Sequence, residues 1–107
     1  MDFKALAKVM ELDEEEYLDY IRLFIEVSKS DLDNLLRAIE EGHAEKVAGA
    51  AHSIRGASGN LGLANLHETA KQIEEKGRQG ILEGVVEPAH LLTEELKRLE
   101  EFVDNNP

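Results

Sequence analysis

Residues 44–62, AEKVAGAAHSIRGASGNLG, place apolar or small side chains at Val47, Ala51, Ile54, Ser58 and Leu61. The intervals alternate between four and three residues, the repeat of one buried helix face. The spacing predicts a helix over about Ala44 to Asn60, followed by a tight turn at NLGLAN. Yet the same stretch sets Gly49, Gly56 and Gly59 around His52, although each glycine costs a helix about 1 kcal/mol relative to alanine. Three such positions around one imidazole need a cause other than helix formation.

The same period runs outward on both sides. Asp13, followed by Glu14, Glu15 and Glu16, reads as an N-cap with acids in the first turn. From there Leu18, Ile21, Ile25, Leu32, Leu35, Leu36 and Ile39 recur at helical spacing up to Gly42, with the polar Ser28 on the same stripe. Beyond the tight turn, Leu63, Leu66, Ala70 and Ile73 predict a third main helix, ended by Gly77 and Gly80 with Gly77 as its C-terminal glycine. Pro88 suits the first turn of a last helix whose stripe is Leu92, Leu96, Leu99 and Phe102 or Val103. A short helix from Asp2 to Met10 would cap the assembly. The expected fold is all-α: an antiparallel, up-down-up-down four-helix bundle with a short additional N-terminal helix, forming a single domain over residues 1–107.

Composition narrows the chemistry. The chain has no cysteine, which removes disulfides, zinc–thiolate sites and thiol catalysis together. It has no tryptophan and few aromatics, so its core must be aliphatic. No apolar run approaches the roughly 18 residues that span a bilayer, and the opening MDFKALAKVM lacks the pattern of a signal peptide. A cytoplasmic location without membrane insertion is expected, for a free-standing protein or for the cytosolic piece of a larger one. The net charge of −11 argues against nucleic acid, whose phosphates such a surface repels. Residues 43–80 nevertheless carry five basic against four acidic side chains, a balance of +1, leaving −12 for the rest. The least acidic region is the one suited to an anionic group or partner.

His52 follows the seam residue Ala51 by one, so it is rotated about 100° from the core direction and belongs at the core edge or in solvent. Arg55 and Gly56 lie one turn further along that face, Gly49 one turn before and Gly59 two turns after. A neutral imidazole has a free ring nitrogen able to attack phosphorus. Arg55 offers phosphate oxygens a guanidinium fork, and Gly49, Gly56 and Gly59 offer clearance to a docking protein. The competing reading makes His52 a partly buried core-edge residue, Arg55 a solvated charge and the glycines points of close helix packing. Composition and spacing leave both open.

The string AHSIRGASGNLGLANL, residues 51–66, resembles the signature of histidine-containing phosphotransfer (HPt) domains. In that signature an alanine and the phosphorylated histidine precede an aliphatic residue, a Lys or Arg, a glycine, small residues and an aliphatic–glycine pair. Here these are Ala51, His52, Ile54, Arg55, Gly56, Ala57, Ser58, Leu61 and Gly62, and the likeness extends more loosely from Tyr20 to Val103. The resemblance implies a bundle with a solvent-accessible phosphohistidine in mid-helix. It implies a carrier rather than an enzyme, with neither ATP binding nor autokinase activity, in a bacterial-type His–Asp phosphorelay. His52 would take a phosphoryl group from a receiver-domain aspartate, or from a sensor or hybrid histidine kinase, and pass it to another response-regulator receiver. The Mg²⁺ used in transfer would sit in the receiver, so this chain needs no cofactor and no metal ligands; a monomer is expected. The alternative within signalling is the phosphoacceptor substrate domain of a chemotaxis-type kinase, and outside it a structural or adaptor bundle with an inert histidine.

Two residues depart from the commonest family pattern. Arg55 stands where lysine is more frequent, which keeps the charge. Glu74 stands where many relay members have a glutamine that supports the imidazole. Glu74 follows Ile73 by one as His52 follows Ala51, so a hairpin would let its carboxylate hold the distal ring N–H. It reads equally as an exposed helix acid paired with Arg78 at i+4. His43, His67 and His90 are read as structural, and none has the spacing of a metal site.

Overall fold

Asp13 opens the longest helix with a reciprocal capping box. Its carboxylate accepts from the Glu16 backbone N–H at 2.8 Å, and the Glu16 side chain accepts from the Asp13 N–H at 3.3 Å. The computed structural model describes residues 2–105, and among these the regular structure is entirely helical. The elements are α1 (Phe3–Val9), α2 (Glu14–Glu40), α3 (Ala44–Asn60), α4 (Ala64–Arg78) and α5 (Val86–Asp104). Contacts run from α2 to α3, α3 to α4, α4 to α5 and α5 back to α2, while α1 lies on α2. The result is a helical bundle in which α3 and α4 share the most extensive contact.

The core is aliphatic, as the composition requires. Leu18, Ile21, Ile25, Leu32 and Leu35 of α2 meet Val47, Ala51 and Ile54 of α3, Leu66, Ala70 and Ile73 of α4, and Leu92, Leu96, Leu99 and Val103 of α5. Each large side chain removed from water contributes roughly 1.5–3 kcal/mol. The α2 stripe differs from expectation at its end: Leu36 is exposed and Ile39 half-buried, while Ala38 is buried and Tyr17 and Phe24 join the core. Ser28 is buried on the stripe, with no hydrogen-bond partner for its hydroxyl. On α5 the core position falls to Val103, and Phe102 turns outward to meet Phe3 edge-on at 5.2 Å. Phe3 also packs on Tyr17, which is how α1 closes one end of the bundle. The Tyr17 hydroxyl donates to the Leu61 carbonyl at 2.5 Å, tying the start of α2 to the turn after α3. Lys29 and Glu100 pair across α2 and α5.

One helix end differs from the sequence reading. Gly77 lies inside α4, which continues to Arg78, and the glycine that terminates it is Gly80 at φ +73°. The Ile81 N–H reaches the Lys76 carbonyl at 2.9 Å and the Gly80 N–H the Gly77 carbonyl at 3.0 Å, a Schellman closure that needs a left-handed residue at position 80. Gly77 is small for another reason. A Cβ there would lie 2.9 Å from the Ala48 backbone nitrogen and 3.1 Å from the Ala44 carbonyl oxygen, so it is where the α3 and α4 backbones cross.

Candidate functional site

That crossing positions the site. Ala48 precedes His52 by four residues on α3, and Gly77 follows Glu74 by three on α4. One turn from the closest approach, the two side chains therefore meet. The His52 side chain is 63% exposed, whereas Glu74 beside the buried Ile73 is 1% exposed. His52 Nδ1 lies 2.9 Å from Glu74 Oε2. Next to His52, the Ser53 hydroxyl donates to Asp31 Oδ2 at 2.7 Å and ties this part of α3 to α2.

Glu74 collects two further cations. Arg55 Nη1 donates to Oε1 at 2.9 Å, and Arg78 donates to Oε2 through Nε at 2.9 Å and Nη2 at 2.5 Å. Burial alone would push the Glu74 carboxyl up. The hydrogen bonds from Arg55, Arg78 and His52 outweigh it and hold the group down at about 2. Glu74 is thus a carboxylate at neutral pH and can only accept. His52 Nδ1 must then carry the proton in the neutral ring, leaving the lone pair on Nε2.

The remaining sequence candidates fall into two groups. A Cβ built on Gly49 or Gly56 meets nothing within 4 Å, so both positions are open. Gly59 is different: its Cβ would lie 2.8 Å from His67 Nδ1, because the His67 ring occupies that space. Gly59 is exposed and lines the groove beside His52, and its missing side chain also makes room within the chain for the His67 ring. His67 Nδ1 donates to the Arg55 carbonyl at 2.8 Å, and a carbonyl fixes this tautomer as well. His67, read from sequence as structural, shares a groove of about 630 Å³ with His52, Arg55, Gly56, Gly59 and Leu63. The signal was the symmetry about the turn, since Gly59 and His67 each stand four residues from Leu63. Arg55 is not a free cation in this arrangement: its guanidinium is held on Glu74. Glu74 is not the exposed acid of its second reading, although it does pair with Arg78.

Among the described residues, no three His, Asp or Glu side chains come together as a metal site, and no helix is long and apolar enough to cross a membrane.

The bundle thus presents the His52 imidazole, its Nδ1 held by Glu74, at the edge of an open groove. The chain belongs to the Hpt domain family, whose profile matches residues 19–102. Its fold is similar to that of histidine-containing phosphotransfer protein B (HptB) from Pseudomonas aeruginosa PAO1. The TM-score is 0.85 at 28% identity, over 97% of this chain and 90% of that one. A search of curated protein sequences returns no match. Family membership and the shared fold assign histidine phosphotransfer in a His–Asp phosphorelay, among receiver domains and histidine kinases, to this chain.

Proposed function

We propose that His52 is the phosphoacceptor and that it carries the group between aspartates of response-regulator receiver domains. The observation that carries this reading is the commitment of His52 Nδ1–H to Glu74, 2.9 Å away, on a side chain whose surface is mostly in solvent. With Nδ1 protonated, the Nε2 lone pair attacks the phosphorus of an aspartyl phosphate. The N–P bond forms, the P–O bond to the aspartate breaks, and the receiver recovers its carboxylate. No proton has to leave the attacking nitrogen. The cationic ring that results keeps its Nδ1–H on Glu74, which stabilises it. Arg55 supplies charge to the phosphoryl oxygens, and Gly49 and Gly56 leave room for the receiver's backbone.

In this reading the chain is a carrier that neither binds ATP nor labels itself. The receiver contributes the Mg²⁺, and the chain works as a cytoplasmic monomer in which α2 to α5 run antiparallel, up-down-up-down. A second reading, the phosphoacceptor domain of a chemotaxis-type kinase, is favoured by Glu74, because this chain resembles such domains in carrying a glutamate at that position. The test is to incubate the protein with a panel of phosphorylated receiver domains, and separately with ATP and Mg²⁺ alone. Label is expected on His52 from a receiver, lost in acid and kept in base, and none is expected from ATP alone. A His52→Gln chain that still takes stoichiometric label would overturn the assignment, and labelling that requires a kinase domain with ATP would select the second reading.

A further inference from the structure

Glu74 is one buried carboxylate with two guanidinium partners, and these are not equivalent. Arg55 comes from α3, lines the groove and contacts only Oε1. Arg78 comes from α4 itself, four residues after Glu74, and places two N–H groups on Oε2, the oxygen that also faces His52. The charged or titratable groups within ion-pair distance of Glu74 among the described residues are His52 and Arg55 from α3 and Arg78 from α4. If Arg55 were the sole cation, its move to an incoming phosphoryl group would strand a buried anion, which a low-dielectric site resists.

We infer that Arg78 is a positioning residue for phosphoryl transfer: it keeps Glu74 paired and aimed at His52 Nδ1, and so frees Arg55 to turn to the phosphoryl group. The inference rests on the reading of His52 as acceptor. Its geometry suits the task, because an i,i+4 pair within one helix does not depend on where the α3 side chains move. Before transfer the cluster of Glu74, Arg55 and Arg78 carries one net positive charge. After it, Glu74 and Arg78 remain a neutral pair, and the Arg55 charge is opposite the phosphate.

The test is a double-mutant cycle on the full chain with phosphoramidate as donor, which transfers its phosphoryl group to Nε2 with loss of ammonia and needs no docking partner. Arg78→Ala is expected to slow labelling of His52 about tenfold, with Arg78→Lys in between. In a Glu74→Gln background the same Arg78→Ala change is expected to alter the rate by less than about twofold, because a neutral amide needs no counter-ion. Equal losses in both backgrounds would mean that Arg78 acts directly on the phosphate, and no loss in either would mean that Arg55 suffices; both overturn the inference. A wild-type chain that takes no label on His52 overturns the acceptor reading and the role of Arg78 in transfer with it. A labelled wild type without the coupling overturns the role of Arg78 alone.

Discussion

Gly77 and Ala48 cross so closely that a Cβ on Gly77 would stand 2.9 Å from the Ala48 backbone nitrogen. Backbone cannot step aside as a side chain can. Gly77→Ala is expected to destabilise the protein by about 1–3 kcal/mol through overpacking. Gly56, whose Cβ would meet nothing within 4 Å, gives the opposite sign: Gly56→Ala should stabilise by up to about 1 kcal/mol. Denaturant melts of the two variants check this, and a neutral Gly77→Ala would show that α3 and α4 can separate at no cost.

Gly56 also has a kinetic side. Gly56→Gln should fold, yet slow transfer from a receiver, because its side chain would project where Gly56 is now open. The rate with phosphoramidate, which needs no docking, should be unchanged. Equal rates from the receiver before and after substitution would remove the docking role.

The bonds to Glu74 make stability depend on pH with a definite sign. The folded group is held at about 2, below its ordinary 4.5, so the unfolded chain binds its proton first as pH falls. The stabilisation is complete above pH 4.5 and is lost progressively toward pH 2. Glu74→Gln should therefore lower stability at neutral pH and flatten the acid limb. Measured unfolding free energies against pH that keep the same slope in the variant would count against the network.

Glutamine and alanine at position 74 should separate charge from hydrogen bonding. Glu74→Gln keeps an oxygen to accept from His52 Nδ1–H and is expected to transfer within about threefold of wild type, whereas Glu74→Ala frees the ring and should lose about tenfold. Initial rates from one phosphorylated receiver decide it. Equal losses would assign the effect to the charge.

His67 and Gly59 should be energetically coupled. Gly59→Ala displaces the His67 ring from the Arg55 carbonyl, giving up a bond worth about 1 kcal/mol against a similar gain in helix propensity. In a His67→Ala background the clash is gone, and Gly59→Ala should become stabilising. A double-mutant cycle with no coupling would mean that the ring finds equivalent room elsewhere.

Much of this molecule is legible from its sequence, for identifiable reasons. The N-cap at Asp13, the α3 seam and the position of Pro88 each follow from local rules that the rest of the fold does not override. His52 lay one residue off its seam and is exposed, as that rotation demands. Glu74 lay one residue off its own seam in the same way, yet it is buried, because Gly77 lets α3 approach just where the carboxylate emerges. Helical period says which face a residue occupies and is silent on what crosses that face. The same silence hid the use of Gly59 by His67 and made Gly77 resemble a helix terminus.

The bond from Tyr17 to the Leu61 carbonyl has an optical consequence. The chain has no tryptophan and two tyrosines, of which Tyr17 is fully buried and Tyr20 is 53% exposed. The near-ultraviolet circular dichroism around 280 nm must therefore come mainly from the ring held in one asymmetric setting, that of Tyr17. Its hydroxyl is anchored to the residue preceding Gly62 and Leu63, which line the groove beside His52. A partner that shifts this turn on docking should alter the tyrosine band, so binding can be followed on the unlabelled, unmodified protein.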